Sequence, residues 1–170
     1  FLAGIKNELA GPLKMMERAP DRFNILWCLS GSSTHKFYPH QDGVILNILK
    51  AMPMATVIFS GDLACQLLER GWEQQPRVRR TSGEMSIRDT LTLAQHVDCV
   101  VGPETGVLNA VAFEPILMKF YYLCRPSNLL HYVSKNSQFS THTSFIIGIT
   151  LSSPVFPLKQ VIDFLAELVY

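Results

Sequence analysis

Short apolar runs alternate along the chain with stretches in which apolar positions recur every three or four residues. Residues 24–29 (N-I-L-W-C-L) form the first such run and residues 56–60 (T-V-I-F-S) the second. Apolar runs this short, with little polar alternation, predict strands buried on both faces. A weaker third strand is predicted around Val78, a fourth at 98–102, a fifth at 116–123 and a sixth at 144–150. Between the first two, residues 42–52 place Val44, Ile45, Ile48 and Leu49 on one helical face. Asp62 stands where a helix cap belongs, and that helix is predicted to run to about Arg70 and end at Gly71. Ser86 and Asp89 have capping-box spacing at the head of another helix, continued by Leu91, Leu93, Ala94 and Val97. Residues 105–113 predict a short helix, 9–18 a leading one despite Gly11-Pro12, and 158–169 a closing amphipathic one.

Strands alternating with helices predict a parallel sheet covered on both faces. The expected fold class is therefore α/β, a Rossmann-like three-layer parallel sheet. The whole chain, 1–170, is expected to form one domain: a leading helix and linker at 1–23, a sheet core at 24–151 and a C-terminal helix at 152–170. Residues 152–157 are the only linker-like stretch, and no repeat or low-complexity segment interrupts the pattern.

Composition narrows the classes of function. The chain has 170 residues, 48% of them hydrophobic, which is enough for a core of its own. With 15 basic against 14 acidic residues and a net charge of +1, neither a nucleic-acid partner nor a polybasic membrane surface is expected. Cys28, Cys65, Cys99 and Cys124 are far apart with no C-x-x-C pair, so reduced thiols and a cytoplasmic location are expected. No apolar run reaches the roughly 18 residues of a membrane span. The chain opens on Phe1 rather than Met, so it is expected to have lost its own beginning.

In an open parallel sheet, ligands bind beyond the carboxyl ends of the strands. Three loops there carry suggestive chemistry. In Ser30-Gly31-Ser32-Ser33-Thr34-His35-Lys36, small hydroxylated residues let backbone amides approach an anion, and Lys36 can place a point charge on a phosphate. It is not a Walker A loop, and its composition equally fits a solvated turn with a surface lysine. In Gly102-Pro103-Glu104-Thr105-Gly106, Thr105 and the Gly106 amide can hold a phosphate and Glu104 can accept from sugar hydroxyls; a capped helix start is the plainer alternative. In Gly83-Glu84-Met85-Ser86, the Met85 thioether can pack on a base, while Ser86 caps the helix.

The remaining candidates read as structural. The five histidines lack metal-ligand spacing, so no metal is expected, and no other cofactor is implied. His96 reads as a helix-end residue, Arg77, Arg79 and Arg80 as a solvated edge, and Trp27 and Phe59 as core. A hydrolase triad has no G-x-S-x-G anchor.

Taken in order, these loops resemble the C-terminal domain of glycosyltransferase family nine, the lipopolysaccharide heptosyltransferases. Four pieces carry the resemblance: Gly31 to Pro39 with Lys36-Phe37-Tyr38-Pro39, then Ser60-Gly61-Asp62, then Gly83-Glu84-Met85-Ser86-Ile87, then Glu104-Thr105-Gly106-Val107-Leu108-Asn109-Ala110. They cover residues 24–121. The resemblance implies a GT-B glycosyltransferase, two Rossmann-like domains across a cleft, of which this chain is the C-terminal half. It implies that Ser32, Ser33 and Lys36 hold the pyrophosphate of a nucleotide diphosphate sugar. Thr105 and Gly106 would add phosphate contacts, Met85 would lie beside the base, Asp62 would meet the ribose and Glu104 the donor sugar. Glu104 replaces the family's usual aspartate and Asn109 its usual histidine, so heptose specificity does not carry over.

The implied partners are the nucleotide diphosphate sugar, a glycan or lipid-linked acceptor and an N-terminal GT-B domain. That domain would supply the general base, so the chain alone is expected to bind donor without useful turnover. A noncatalytic sugar-nucleotide sensor is the competing reading, and a flavodoxin-like nucleotide-binding domain a third.

Overall fold

The structure is a computed structural model that describes residues 7–31, 36–103, 105–111, 118–123 and 144–148. Six parallel strands form its centre: β1 (Phe23–Cys28), β2 (Ala55–Ser60), β3 (Val78–Arg80), β4 (Cys99–Pro103), β5 (Met118–Leu123) and β6 (Ser144–Gly148). They pair in the order β3-β2-β1-β4-β5-β6, the doubly wound arrangement of a Rossmann-like α/β fold. All six predicted strands are present, each within two residues of its expected bounds.

Side-chain alternation in the strands sorts the core into two layers. Phe23, Ile25 and Trp27 of β1 face one side, with Val57 and Phe59 of β2, and meet helix α1 (Gln41–Ala51) through Val44, Ile45, Ile48 and Leu49. Leu26, Cys28, Ile58 and Val100 face the other side and meet Leu93 and Ala94 of α2 (Ile87–Ala94) and Leu108 of α3 (Gly106–Val111). Each side of the sheet is thus covered by helix, which is why β1 and β4 are buried along their whole length. Trp27 and Phe59 are core, as expected.

Four expectations need correction. Residues 9–18 form no α-helix: only Gly11–Met16 coil, as a 3-10 helix, because Gly11 takes φ +58 and Pro12 follows it. The helix that Asp62 caps is also 3-10, spanning Leu63–Leu67 and not reaching Arg70, although Gly71 does turn the chain at φ +91. Val97 lies beyond the end of α2 but is buried against the same core. Arg77 is no solvated edge. Its guanidinium donates to the carbonyls of Leu49 at 2.6 Å, Met52 at 2.9 Å and Pro53 at 3.1 Å, closing the C-terminal end of α1. Arg79 and Arg80 are exposed as expected, Arg80 pairing with Glu73 at 3.4 Å. The expected linker at 152–157 and closing helix at 158–169 lie outside the described residues.

At the amino ends of the strands, Asp98 receives the Asn24 amide at 2.8 Å and Arg18 at 2.6 Å. His96 faces the Asn7 carbonyl at 2.6 Å and the Glu17 carboxylate at 3.2 Å. His96 therefore serves as the helix-end residue it was expected to be, strapping the chain before β1 to the underside of the sheet. No described helix is long and apolar enough to cross a membrane.

Candidate functional site

Because every strand is parallel, all the strand-end loops lie at one rim. The register fixes their neighbours there: Cys28 pairs with Ser60, Trp27 with Val101 and Phe59 with Arg80. From β1 the chain winds outward through β2 and β3, then crosses back to place β4 on the other flank of β1. The sheet's switch point therefore falls between β1 and β4, the position at which such sheets open a crevice. The loop leading to Lys36 leaves β1, and the loop leading to Thr105 and Gly106 leaves β4.

Close packing sets both loops. A Cβ built on Gly31 would lie 2.5 Å from Lys36 Cδ and 3.0 Å from its Cβ, so the lysine stem runs directly over the bare glycine. A Cβ on Gly102 would meet Cys28 Cβ at 2.7 Å and Leu108 Cδ1 at 2.8 Å, so this glycine lets α3 seat against β1. Thr105 caps α3, its Oγ1 accepting from the Leu108 amide at 3.5 Å and its carbonyl from the Asn109 amide at 3.0 Å. Gly106 is exposed, with nothing within 4 Å of a Cβ placed there, and Asn109 is exposed one turn later. Ser32, Ser33 and Glu104 lie outside the described residues.

The loops after β2 and β3 form the neighbouring part of the rim. Asp62 is exposed, and its Oδ1 accepts from the Cys65 amide at 3.1 Å. Burial, reinforced by the hydrogen bond to Asp62, pushes the Cys65 thiol up to about 11. After β3, the Thr81 hydroxyl donates to the Phe59 carbonyl and the Gly83 amide donates to the Gly61 carbonyl at 3.0 Å. Met85 is half-buried against the core on the α2 side. Ser86 and Asp89 form the expected capping box, Ser86 Oγ accepting from the Asp89 amide at 3.2 Å and Asp89 from the Ser86 amide at 3.1 Å. The rim thus brings Lys36, Asp62, Met85, Thr105 and Gly106 to the same end of the sheet, with Lys36 and Thr105 in the connections that leave adjacent strands.

Two residues here escaped the sequence motifs. Glu69 is buried at 3% exposure and Gln66 sits beside it, both bonded to Ser82. A signal existed: Cys65, Leu68, Glu69 and Trp72 recur at helical spacing, and three of the four are buried, with Leu68 packed against the core cluster that holds Cys65 and Trp72. The three described cysteines are buried thiols, and burial holds Cys28 at about 12 and Cys99 well above an ordinary thiol. Among the described residues no group of three histidine, cysteine, aspartate or glutamate side chains is placed to hold a metal.

This arrangement of strands and loops recurs in known structures. The E. coli ADP-heptose lipopolysaccharide heptosyltransferase II superposes with a TM-score of 0.62 at 17% identity, over 92% of this chain and 49% of that one. A second E. coli heptosyltransferase, solved with ADP, superposes at 0.65 and 13% identity, over 91% and 47%. The chain has the heptosyltransferase fold. A family nine glycosyltransferase from Veillonella parvula shares that fold at a TM-score of 0.60 and 10% identity, over 95% of this chain and 47% of its own. The chain therefore spans about half the length of each heptosyltransferase-like structure it matches. No protein-family model and no curated protein matches the sequence.

Proposed function

We propose that the chain is the C-terminal, donor-binding half of a GT-B glycosyltransferase. It holds a nucleotide diphosphate sugar at the carboxyl rim of its sheet. The diphosphate lies between the 31–36 loop and the 104–106 loop, where Ser32, Ser33, Lys36, Thr105 and Gly106 supply donors. Met85 flanks the base, Asp62 meets the ribose, and Glu104 and Asn109 face the donor sugar. The observation that carries this reading is the placement of Lys36 and Thr105 beyond adjacent strands at the switch point of a heptosyltransferase-like sheet.

The chemistry follows from charge. An acceptor hydroxyl attacks the anomeric carbon as the bond to the diphosphate breaks, and negative charge grows on the leaving group. Lys36 and the amide donors around it lower the barrier only as far as they bind that growing charge more tightly than the ground state. The acceptor, a glycan or a lipid-linked glycan, and the general base belong to an N-terminal domain facing this rim. Three buried thiols fit a reducing, cytoplasmic setting.

The test is a thermal-shift panel of ADP, UDP, GDP and CDP and their sugars on the purified chain, followed by calorimetry of the best ligand. A ligand specific for the native state raises the melting temperature with concentration. A flat panel sinks the reading, and robust acceptor glycosylation by the chain alone overturns its half-enzyme part. A noncatalytic sensor is the second reading, favoured by the uncharged Asn109 on α3. It predicts the same binding, but no transfer when the chain is joined to a heptosyltransferase N-terminal domain.

A further inference from the structure

Besides its tie to Gly61, the loop after β3 is held by two residues outside the rim motifs. Glu69 Oε1 accepts the Ser82 amide at 3.0 Å, and Gln66 Nε2 donates to the Ser82 carbonyl at 3.0 Å. One short segment therefore grips both backbone polar groups of Ser82. A carboxylate with 3% exposure is costly to bury unless hydrogen-bonded, so this contact is not incidental to the fold. The turn that follows is tight. Gly83 has φ +74, a Cβ there would lie 3.0 Å from Leu63 Cα, and the Glu84 amide closes onto the Thr81 carbonyl at 3.1 Å. Immediately after Met85, the Ser86–Asp89 box fixes the start of α2. Met85 is thus suspended between two anchors, the Glu69–Gln66 grip on one side and the helix cap on the other.

We propose that Glu69, with Gln66, is a positioning residue for the base end of the donor. It sets the turn from Thr81 to Gly83 so that Met85 stands at the height of the base. The proposal rests on the donor-binding reading above. Glu69 belongs to the β2–β3 connection, two strands from the β4 loop, so its effect is expected to fall on the base rather than on the diphosphate end.

Calorimetry on the full chain tests this with two probes: the best-binding nucleoside diphosphate of the panel, and inorganic pyrophosphate. Glu69→Ala is expected to weaken the nucleoside diphosphate about tenfold, the scale of one lost hydrogen bond to a charged group. Pyrophosphate affinity stays within about twofold, and Glu69→Gln, which keeps an acceptor for the Ser82 amide, recovers most of the loss. Equal weakening of both probes, or a lower melting temperature with both affinities intact, overturns the proposal. Should Glu69→Ala not fold, Gln66→Ala carries the same comparison, and an unchanged ratio between the probes again overturns it. Wild-type protein that binds neither probe removes the donor-binding reading itself. Wild-type protein that binds both, with no selective loss in the variants, removes only the role of Glu69.

Discussion

Gly31→Ala offers a way to move the Lys36 charge without deleting it. The backbone of Gly31 lies outside the left-handed region, so an alanine is tolerated by its φ and the whole effect falls on what the new methyl meets. That methyl would stand 2.5 Å from Lys36 Cδ, 3.0 Å from Cβ and 3.3 Å from Cγ. Swinging the distal stem relieves the first contact but not the one at Cβ, which sits on the lysine backbone. The whole residue must shift by a few tenths of an ångström and its ammonium by more. Removing the charge with Lys36→Ala is expected to cost about 1.5–3 kcal/mol of nucleotide diphosphate binding, the range for a charge-assisted hydrogen bond. That corresponds to a dissociation constant raised roughly 10- to 150-fold. Gly31→Ala misplaces the charge rather than abolishing it, so about 1 kcal/mol, roughly a fivefold loss, is expected.

A double-mutant cycle by calorimetry decides whether the glycine acts through the lysine. If it does, Gly31→Ala adds nothing in the Lys36→Ala background, and the double variant binds like Lys36→Ala within about 0.5 kcal/mol. Full additivity would mean that Gly31 serves the ligand through its own amide or the loop beyond it. Unchanged affinity in the single Gly31→Ala variant would refute the idea that the lysine stem is held in place for binding. Equal melting temperatures across the four proteins keep the comparison free of folding effects.

Two further outcomes concern the scaffold. Arg77→Ala removes three donor contacts from the end of α1 and is expected to lower stability by about 1–3 kcal/mol, read as a lower urea midpoint at unchanged slope; an unmoved midpoint would show that water caps those carbonyls equally well. Burial raises the Asp98 carboxyl, outweighing the Asn24 amide and Arg18, so its protonated form favours the folded state in acid and that contribution is lost as pH rises through its folded-state pKa. Stability of wild type relative to Asp98→Asn should therefore fall as pH rises through and above the ordinary aspartate range, and a rise would show that the pair with Arg18 wins.

Much of the fold was legible because apolar runs and helical spacing record burial directly. The Val44, Ile45, Ile48 and Leu49 face, the Ser86 cap and all six strands follow from that record. What failed were the two short helices, where a local backbone preference overrides periodicity: Gly11 with φ +58 ahead of Pro12, and the 3-10 turn that Asp62 caps. Arg77 failed for a different reason. A basic residue at a sheet edge looks solvated until the end of α1 is brought over it, and that approach is long-range. The rim was legible as loops of small and charged residues, and it was the family resemblance that joined them into one expected site. Whether Lys36 and Thr105 share an edge depends on β4 returning to the flank of β1, which strand order decides and spacing does not. Glu69 was hidden because a buried carboxylate reads as a surface residue unless its helical phase with Cys65 and Trp72 is followed.

The two ends of the proposed donor site rest on different local contacts. At the diphosphate end, Lys36 leans on Gly31, and the Thr105 loop leans on the Gly102 contact between α3 and β1. At the base end, the 81–85 turn leans on Glu69 and Gln66 and on the tie between Gly83 and Gly61. The supports meet through the paired backbones of β1 and β2 and through the cluster in which Met85 and Leu108 both pack. Interactions with the leaving diphosphate strengthen as charge develops on it and so act on the rate of transfer, whereas contacts with the base are made equally in ground and transition states and act on which donor binds. Different local contacts let a sequence change the second with less effect on the first.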